Sequence, residues 1–134
     1  MSAAFNIEIF DCNPNAMIKE VPIMKLLFEH EQITVRELIE RRVRLEILKL
    51  QQEEEQPGYL IAPTETERLL NNKSQSEVSE VDIEKQCRIA ITSFKNNGFF
   101  IIVDDQQIDG IDEALTIRNK SQVEFFRLTS LVGG

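Results

Sequence analysis

Two glycines, Gly133 and Gly134, close the sequence behind a spacer, Thr129-Ser130-Leu131-Val132, and an apolar strand-like run, Val123-Glu124-Phe125-Phe126-Arg127-Leu128. Glycine is ~7% of average residues, so a terminal pair arises by chance in about 0.5% of chains. The chemistry the pair permits matters more than its rarity. A tail without side chains threads a slot too narrow for any Cβ and tolerates almost any backbone angle. A free carboxylate at its tip can then be presented to an enzyme that activates it. The competing reading is a frayed terminus of small residues.

No other constellation rivals this one. His30 is the single histidine and has no serine elbow beside it, so a surface or core role outweighs a triad role. Cys12 and Cys87 lack any CxxC spacing, which argues against zinc. Cys87 falls on an apolar helix face and reads as a buried thiol, whereas Cys12 falls in a turn and reads as exposed. The phosphate-loop and dinucleotide glycine patterns are absent. The residues therefore favour a non-enzyme.

The elements that must position the tail read as one domain, since 134 residues at 42% hydrophobic give enough chain for a core. The net charge of −8 argues against nucleic acid. Residues 51–86 carry nine acids against Arg68, Lys73 and Lys85. That run is a solvated face or a docking surface for a basic partner. No apolar run reaches the ~18 residues of a membrane span, and Met1–Phe5 carries no secretory pattern. Two cysteines are too few for a disulfide scaffold, so the expected compartment is cytoplasmic.

Phe5, Ile7 and Ile9 alternate with Asn6 and Glu8 in a strand ending at Phe10, and Asp11-Cys12-Asn13-Pro14-Asn15 reads as a turn. Val21–Phe28 supplies the partner of a hairpin. Thr34-Val35-Arg36-Glu37 is a capping box, flanked by Ile33 and Leu38 as a hydrophobic staple. Val35, Leu38, Ile39, Val43, Ile47 and Leu50 then form one helical stripe, with Leu45 and Leu48 outside it. A glutamate run and Pro57-Gly58 break the pattern, a short helix is expected from Pro63 to about Asn72, and 72–79 reads as loop. A further helix, about Glu80–Asn96, places Ile83, Cys87, Ala90, Ile91 and Phe94 on one face and closes at Asn97-Gly98. Phe99–Val103 suits a strand buried on both faces, followed by a turn at Asp104-Asp105 and a short strand to Ile108. Asp112–Leu115 is expected as a helical turn, Asn119-Lys120-Ser121 as a bend, and Gln122–Leu128 as the last strand.

That order, ending in Gly133-Gly134, resembles the ubiquitin-like β-grasp superfamily, and within it the bacterial branch of the molybdopterin synthase small subunit and the thiamin sulfur carrier. The resemblance rests on the hairpin at 5–28, the helix capped at Thr34, the Phe99–Ile108 strand pair and the final strand with its tail. It implies an α+β fold, a β-grasp mixed sheet packed on a helix, with a helical insertion at about 51–97 and a tail at 129–134 on a domain spanning 1–128. It also implies that Gly134, with Gly133 behind it, is the site of activation. An adenylating enzyme of the ubiquitin-activating type would spend ATP on that carboxylate, and the chain itself would bind no cofactor. A conjugating enzyme and a protein target are the further partners, and phage defence is an association of such bacterial systems.

Val123, Phe125 and Arg127 share one face of the last strand, and Glu124, Phe126 and Leu128 the other. One face serves the core. The second is roofed by the insertion, or else Phe126 and Leu128, with Leu131 and Val132, dock the activating enzyme. Three functions stay open: a modifier joined to an acceptor through Gly134, a sulfur carrier ending in a thiocarboxylate, and a noncovalent interaction module. The large acidic insertion favours the first, because a sulfur carrier needs little more than a plug and a tail.

Overall fold

A computed structural model describes residues 4–12, 22–51 and 79–127. In chain order these form strands β1 (Phe5–Cys12), β2 (Met24–Phe28) and β3 (Gln32–Thr34), helices α1 (Val35–Gln51) and α2 (Glu80–Lys95), and strands β4 (Phe99–Val103), β5 (Gln106–Ile108), β6 (Ala114–Thr116) and β7 (Gln122–Arg127). Five strands make one mixed sheet in the order β2-β1-β7-β4-β5. β1 and β7, the first and last of the described strands, run parallel inside it, and the other neighbours are antiparallel. β3 and β6 form a small antiparallel sheet of their own. The fold class is α+β, with both described helices contributing to one core.

That core lies on a single face of the large sheet. Ile7, Ile9, Leu26, Phe28, Ile101, Val123 and Phe125 are buried from the strands, and Val35, Leu38, Ile39, Val43 and Ile47 from the α1 stripe. α2 adds Cys87, Ala90, Ile91 and Phe94, with Ile83 partly buried against the cluster. Each such aliphatic or aromatic side chain contributes about 1.5–3 kcal/mol on burial. Phe94, Phe99 and Phe125 stack in a tilted chain, with centroids 5.6 and 5.8 Å apart. Leu45 is partly buried against the core, whereas Leu48 is exposed.

Local chemistry fixes the helix ends. Glu37 N donates to Thr34 Oγ1 at 3.1 Å and Thr34 N returns to Glu37 Oε1 at 3.3 Å, the expected capping box. Ser79 and Asp82 repeat the arrangement at α2. At the far end of α2, Gly98 N donates to Ser93 O at 2.7 Å and Asn97 N to Phe94 O at 3.1 Å, a Schellman closure. Asn97 takes the left-handed angle, φ 62°. A Cβ at Gly98 would force the Ser93 hydroxyl aside and sit 3.1 Å from Ser93 O.

Several expectations change. β1 continues through Asp11 and Cys12, which are strand rather than turn, and Cys12 is buried rather than exposed. The helical turn expected at Asp112–Leu115 gives way to strand β6, in which Leu115 is buried opposite Ile33 while Ala114 and Thr116 face out. β3 has no counterpart in the sequence reading. β4 is fully buried only through Phe99, Ile101 and Val103, with Phe100 and Ile102 half-buried on the other face. α2 stops at Lys95 and β7 is described to Arg127, close to their expected limits. The turn residues 13–15, the short helix expected at 63–72 and the tail lie outside the described residues.

Candidate functional site

β7 is the strand that leads toward the tail, and its start is held by nonlocal bonds. At its start, Ser121 Oγ and Gln122 N both donate to the Asp104 carboxylate at 2.8 Å. Asp104 N donates back to Gln122 O at 2.9 Å, and Glu8 N donates to Ser121 O at 2.8 Å. Asp104 and Asp105 themselves form a two-residue hairpin turn with φ of 47° and 72°, the backbone a primed turn demands. One carboxylate thus ties the β4–β5 turn to the entry of the last strand.

Further along, the helix-facing side of β7 rests on an ionic cluster inside the core. Arg42 of α1 is fully buried, and its Nη1 and Nη2 donate to the Asp11 carboxylate at 2.7 and 2.8 Å. Its Nε donates to Glu46 Oε2 at 3.0 Å, and its guanidinium lies 4.5 Å from the centre of the Phe125 ring. Burial works against the charge on Arg42. The bond to Asp11 and the charges of Glu46 and Asp11 outweigh it and hold the guanidinium pKa above its ordinary value. Asp11 and Phe125 are register partners across the parallel β1–β7 pair. Arg42 therefore couples α1 to both central strands at the end from which the chain continues toward Gly134. Bidentate guanidinium–carboxylate bonding fixes direction as well as distance.

The opposite face of the sheet is also apolar at this end. Phe126 is half-buried there, in register with Cys12 on one side and Phe100 on the other. Phe10, Glu124 and Ile102 form the next row. Phe10 and Cys12 are buried, whereas Phe100, Ile102 and Phe126 retain partial exposure. An apolar platform across three central strands thus adjoins the point where the chain passes to residue 128. Of the residues expected to act, Phe126 stands on this platform. Leu128, Leu131, Val132, Gly133 and Gly134 lie outside the described residues.

The remaining reactive side chains are structural or exposed. Cys87 is buried, and desolvation pushes its thiol up to about 11, with Arg44 opposing the shift. His30 is exposed between β2 and β3. Arg36 and Asp112 pair at 3.1 Å on the surface, which lowers the Asp112 carboxyl below its ordinary value. Among the described residues no group of three or more His, Cys, Asp or Glu is placed to hold a metal ion, and no helix is long and apolar enough to cross a membrane.

The buried Arg42 cluster escapes a reading of the sequence. Leu38/Ile39, Arg42/Val43 and Glu46/Ile47 recur at helical spacing, so Arg42 and Glu46 occupy stripe positions. Opposite charges four apart ordinarily read as a surface pair. The available signal is that both lie beside stripe residues, which places them at the margin of the buried face. Comparison of the chain with protein-family models, with curated proteins and with solved structures gives no match.

Proposed function

We propose that the chain is a ubiquitin-like modifier of β-grasp fold, with residues 1–128 as the grasp domain and 129–134 as its tail. The observation that carries this reading is the sheet. Its first and last described strands run parallel inside it, in the order β2-β1-β7-β4-β5, and α1 packs across one face. In such an arrangement the last strand is the most firmly held element, and residues 128–134 continue directly from it. Leu131, Val132, Gly133 and Gly134 then form the segment that enters an adenylating enzyme, and half-buried Phe126, with Phe100 and Ile102 beside it, supplies the surface that enzyme grips.

The reacting group is the Gly134 carboxylate, whether the chain ends there or is cut behind it. It attacks the α-phosphorus of ATP held by the activating enzyme, which releases pyrophosphate and leaves an acyl-adenylate. An enzyme thiol displaces AMP to give a thioester, and an acceptor amine or hydroxyl then displaces the thiol. The chain needs no bound cofactor and supplies no catalytic side chain.

Incubation with a cognate adenylating enzyme and ATP, read by intact-mass spectrometry, tests this reading. Covalent adducts of the chain with enzyme or acceptor that disappear when Gly134 is deleted support the modifier. Exchange of one carboxylate oxygen for sulfur, with sulfide supplied, would make it a sulfur carrier for cofactor biosynthesis instead. An active enzyme that leaves the chain unchanged would leave a noncovalent interaction module.

A further inference from the structure

The β5 side of the molecule holds a feature that activation of the tail does not use. Among the described residues both outer strands of the large sheet present an edge, but they differ. On β2 the outward carbonyl of Leu27 is already bonded by Arg41 Nη1 at 2.7 Å. On β5 the outward groups belong to Gln107. The bond from Asp104 N to Gln122 O sets the phase of the ladder. Val103 therefore bonds Gln106, Ile102 bonds toward β7, and Gln107, opposite Ile102, turns its N–H and C=O away from β4. Neither group has a main-chain partner among the described residues.

Beside this edge lies a cleft of about 460 Å³ between the β4–β5 hairpin and β6. Val103, Ile108 and Leu115, all buried, form its apolar floor, and Glu113, Thr116 and Arg118 stand at its rim. Its surroundings are acidic. Residues 104–113 include Asp104, Asp105, Asp109, Asp112 and Glu113 and not one lysine or arginine. Asp104 is engaged by Ser121 and Gln122, and Asp112 by Arg36, while Arg118 lies 4.0 Å from Asp104. Asp109 accepts from Gln107 Nε2 and Glu113 from Gly110 N, both at 3.4 Å, neither of which offsets their charge, so exposed Asp105, Asp109 and Glu113 set the field an arriving strand would meet.

We propose that this cleft and the β5 edge dock an extended, basic segment of a partner protein, added to the sheet as a further strand. Main-chain bonds to Gln107 set its direction. Its alternate side chains on the helix side enter the cleft above Val103, Ile108 and Leu115, and its lysines or arginines meet Asp105, Asp109 and Glu113. The same charges select against a second copy of this chain, whose own β5 edge carries the same sign and whose net charge is −8.

The test uses the full chain and a labelled peptide alternating lysine with valine, read by fluorescence anisotropy, with a glutamate–valine peptide as control. Binding of the basic peptide alone is expected, weakening steeply with added salt. Gln107→Pro removes the outward N–H without touching the β4 ladder and is expected to weaken binding about tenfold at unchanged thermal midpoint. Glu113→Lys combined with Asp109→Lys is expected to abolish binding and keeps the test open if the proline variant folds poorly. Equal binding of both peptides, indifference to Gln107→Pro in a folded variant, or no binding at all overturns the proposal. So does self-association of the chain that Gln107→Pro abolishes, which would make the occupant a second copy.

Discussion

Replacing Arg42 by methionine separates a clamp from a decoration. The substitution keeps the length and much of the apolar stem but removes three charge-assisted bonds, at 2.7, 2.8 and 3.0 Å, and the contact with Phe125. It also takes a guanidinium away from two carboxylates whose side chains are 13% and 5% exposed. Breaking a buried pair from one side costs roughly 3–5 kcal/mol. At ~0.05–0.15 kcal/mol per residue, a domain of this length has on the order of 7–20 kcal/mol in total. The variant is thus expected to fold with a clearly lower urea midpoint and an unchanged m-value. A companion variant, Asp11→Leu with Arg42→Met and Glu46→Leu, exchanges the whole cluster for apolar groups and is expected to recover most of that loss. If Arg42→Met costs less than ~1 kcal/mol, or the triple variant is no better than the single one, the carboxylates are not held in a dry core and the reasoning fails.

Phe126→Asp is expected to weaken adenylation of the tail while leaving the far-ultraviolet circular dichroism and the thermal midpoint near those of the parent, because the ring is only half-buried and faces away from the core. Global unfolding of that variant would assign the ring to the fold instead. Gly98→Ala is expected to cost less than roughly 1 kcal/mol in urea unfolding, because the Ser93 hydroxyl can turn aside while Ser93 O stays 3.1 Å from the new Cβ, and Ser93→Ala in the same chain should recover the hydroxyl's share. Cys87 is expected to resist alkylation in the native state at pH 8 and to react on unfolding. Its thiol is raised to about 11 in the folded chain from an ordinary 9.0, so it contributes stability in full below that ordinary value and loses it as pH climbs toward 11. A Cys87→Ala variant should show a flatter urea midpoint across the same interval.

What the sequence discloses and what it hides divide along the range of the interactions. The capping box at Thr34 and Glu37, the hairpin turn at Asp104-Asp105 and the closure at Asn97-Gly98 are each written within a few residues, and all three form. The stripe from Val35 to Ile47 is legible for the same reason, since its period of 3.6 is local. β3 and β6 are not. Each holds three residues and one buried side chain, and each exists because Ile33 meets Leu115 across a long stretch of chain. Read alone, Asp112-Glu113-Ala114-Leu115 favours a helical turn by propensity, and the pairing overrides it.

Arg42 lies at the limit of this rule. Helical spacing places it on the buried face, yet its type argues for solvent. What decides between them is Asp11, a residue that turn chemistry assigns to a loop and that β1 instead carries inward beside Phe125. Had Asp11 been in the loop, the arginine would lose its bidentate partner and keep the single bond to Glu46 of its own helix, and burying it would cost far more. Extension of β1 by two residues and burial of Arg42 are therefore one event, and neither follows from its own stretch of sequence. The same extension places Cys12 beside Phe126 and completes the apolar platform on the other face. The clamp inside the core and the row that carries Phe126 on the other face thus depend on the same two residues, Asp11 and Cys12, at the end of the first strand.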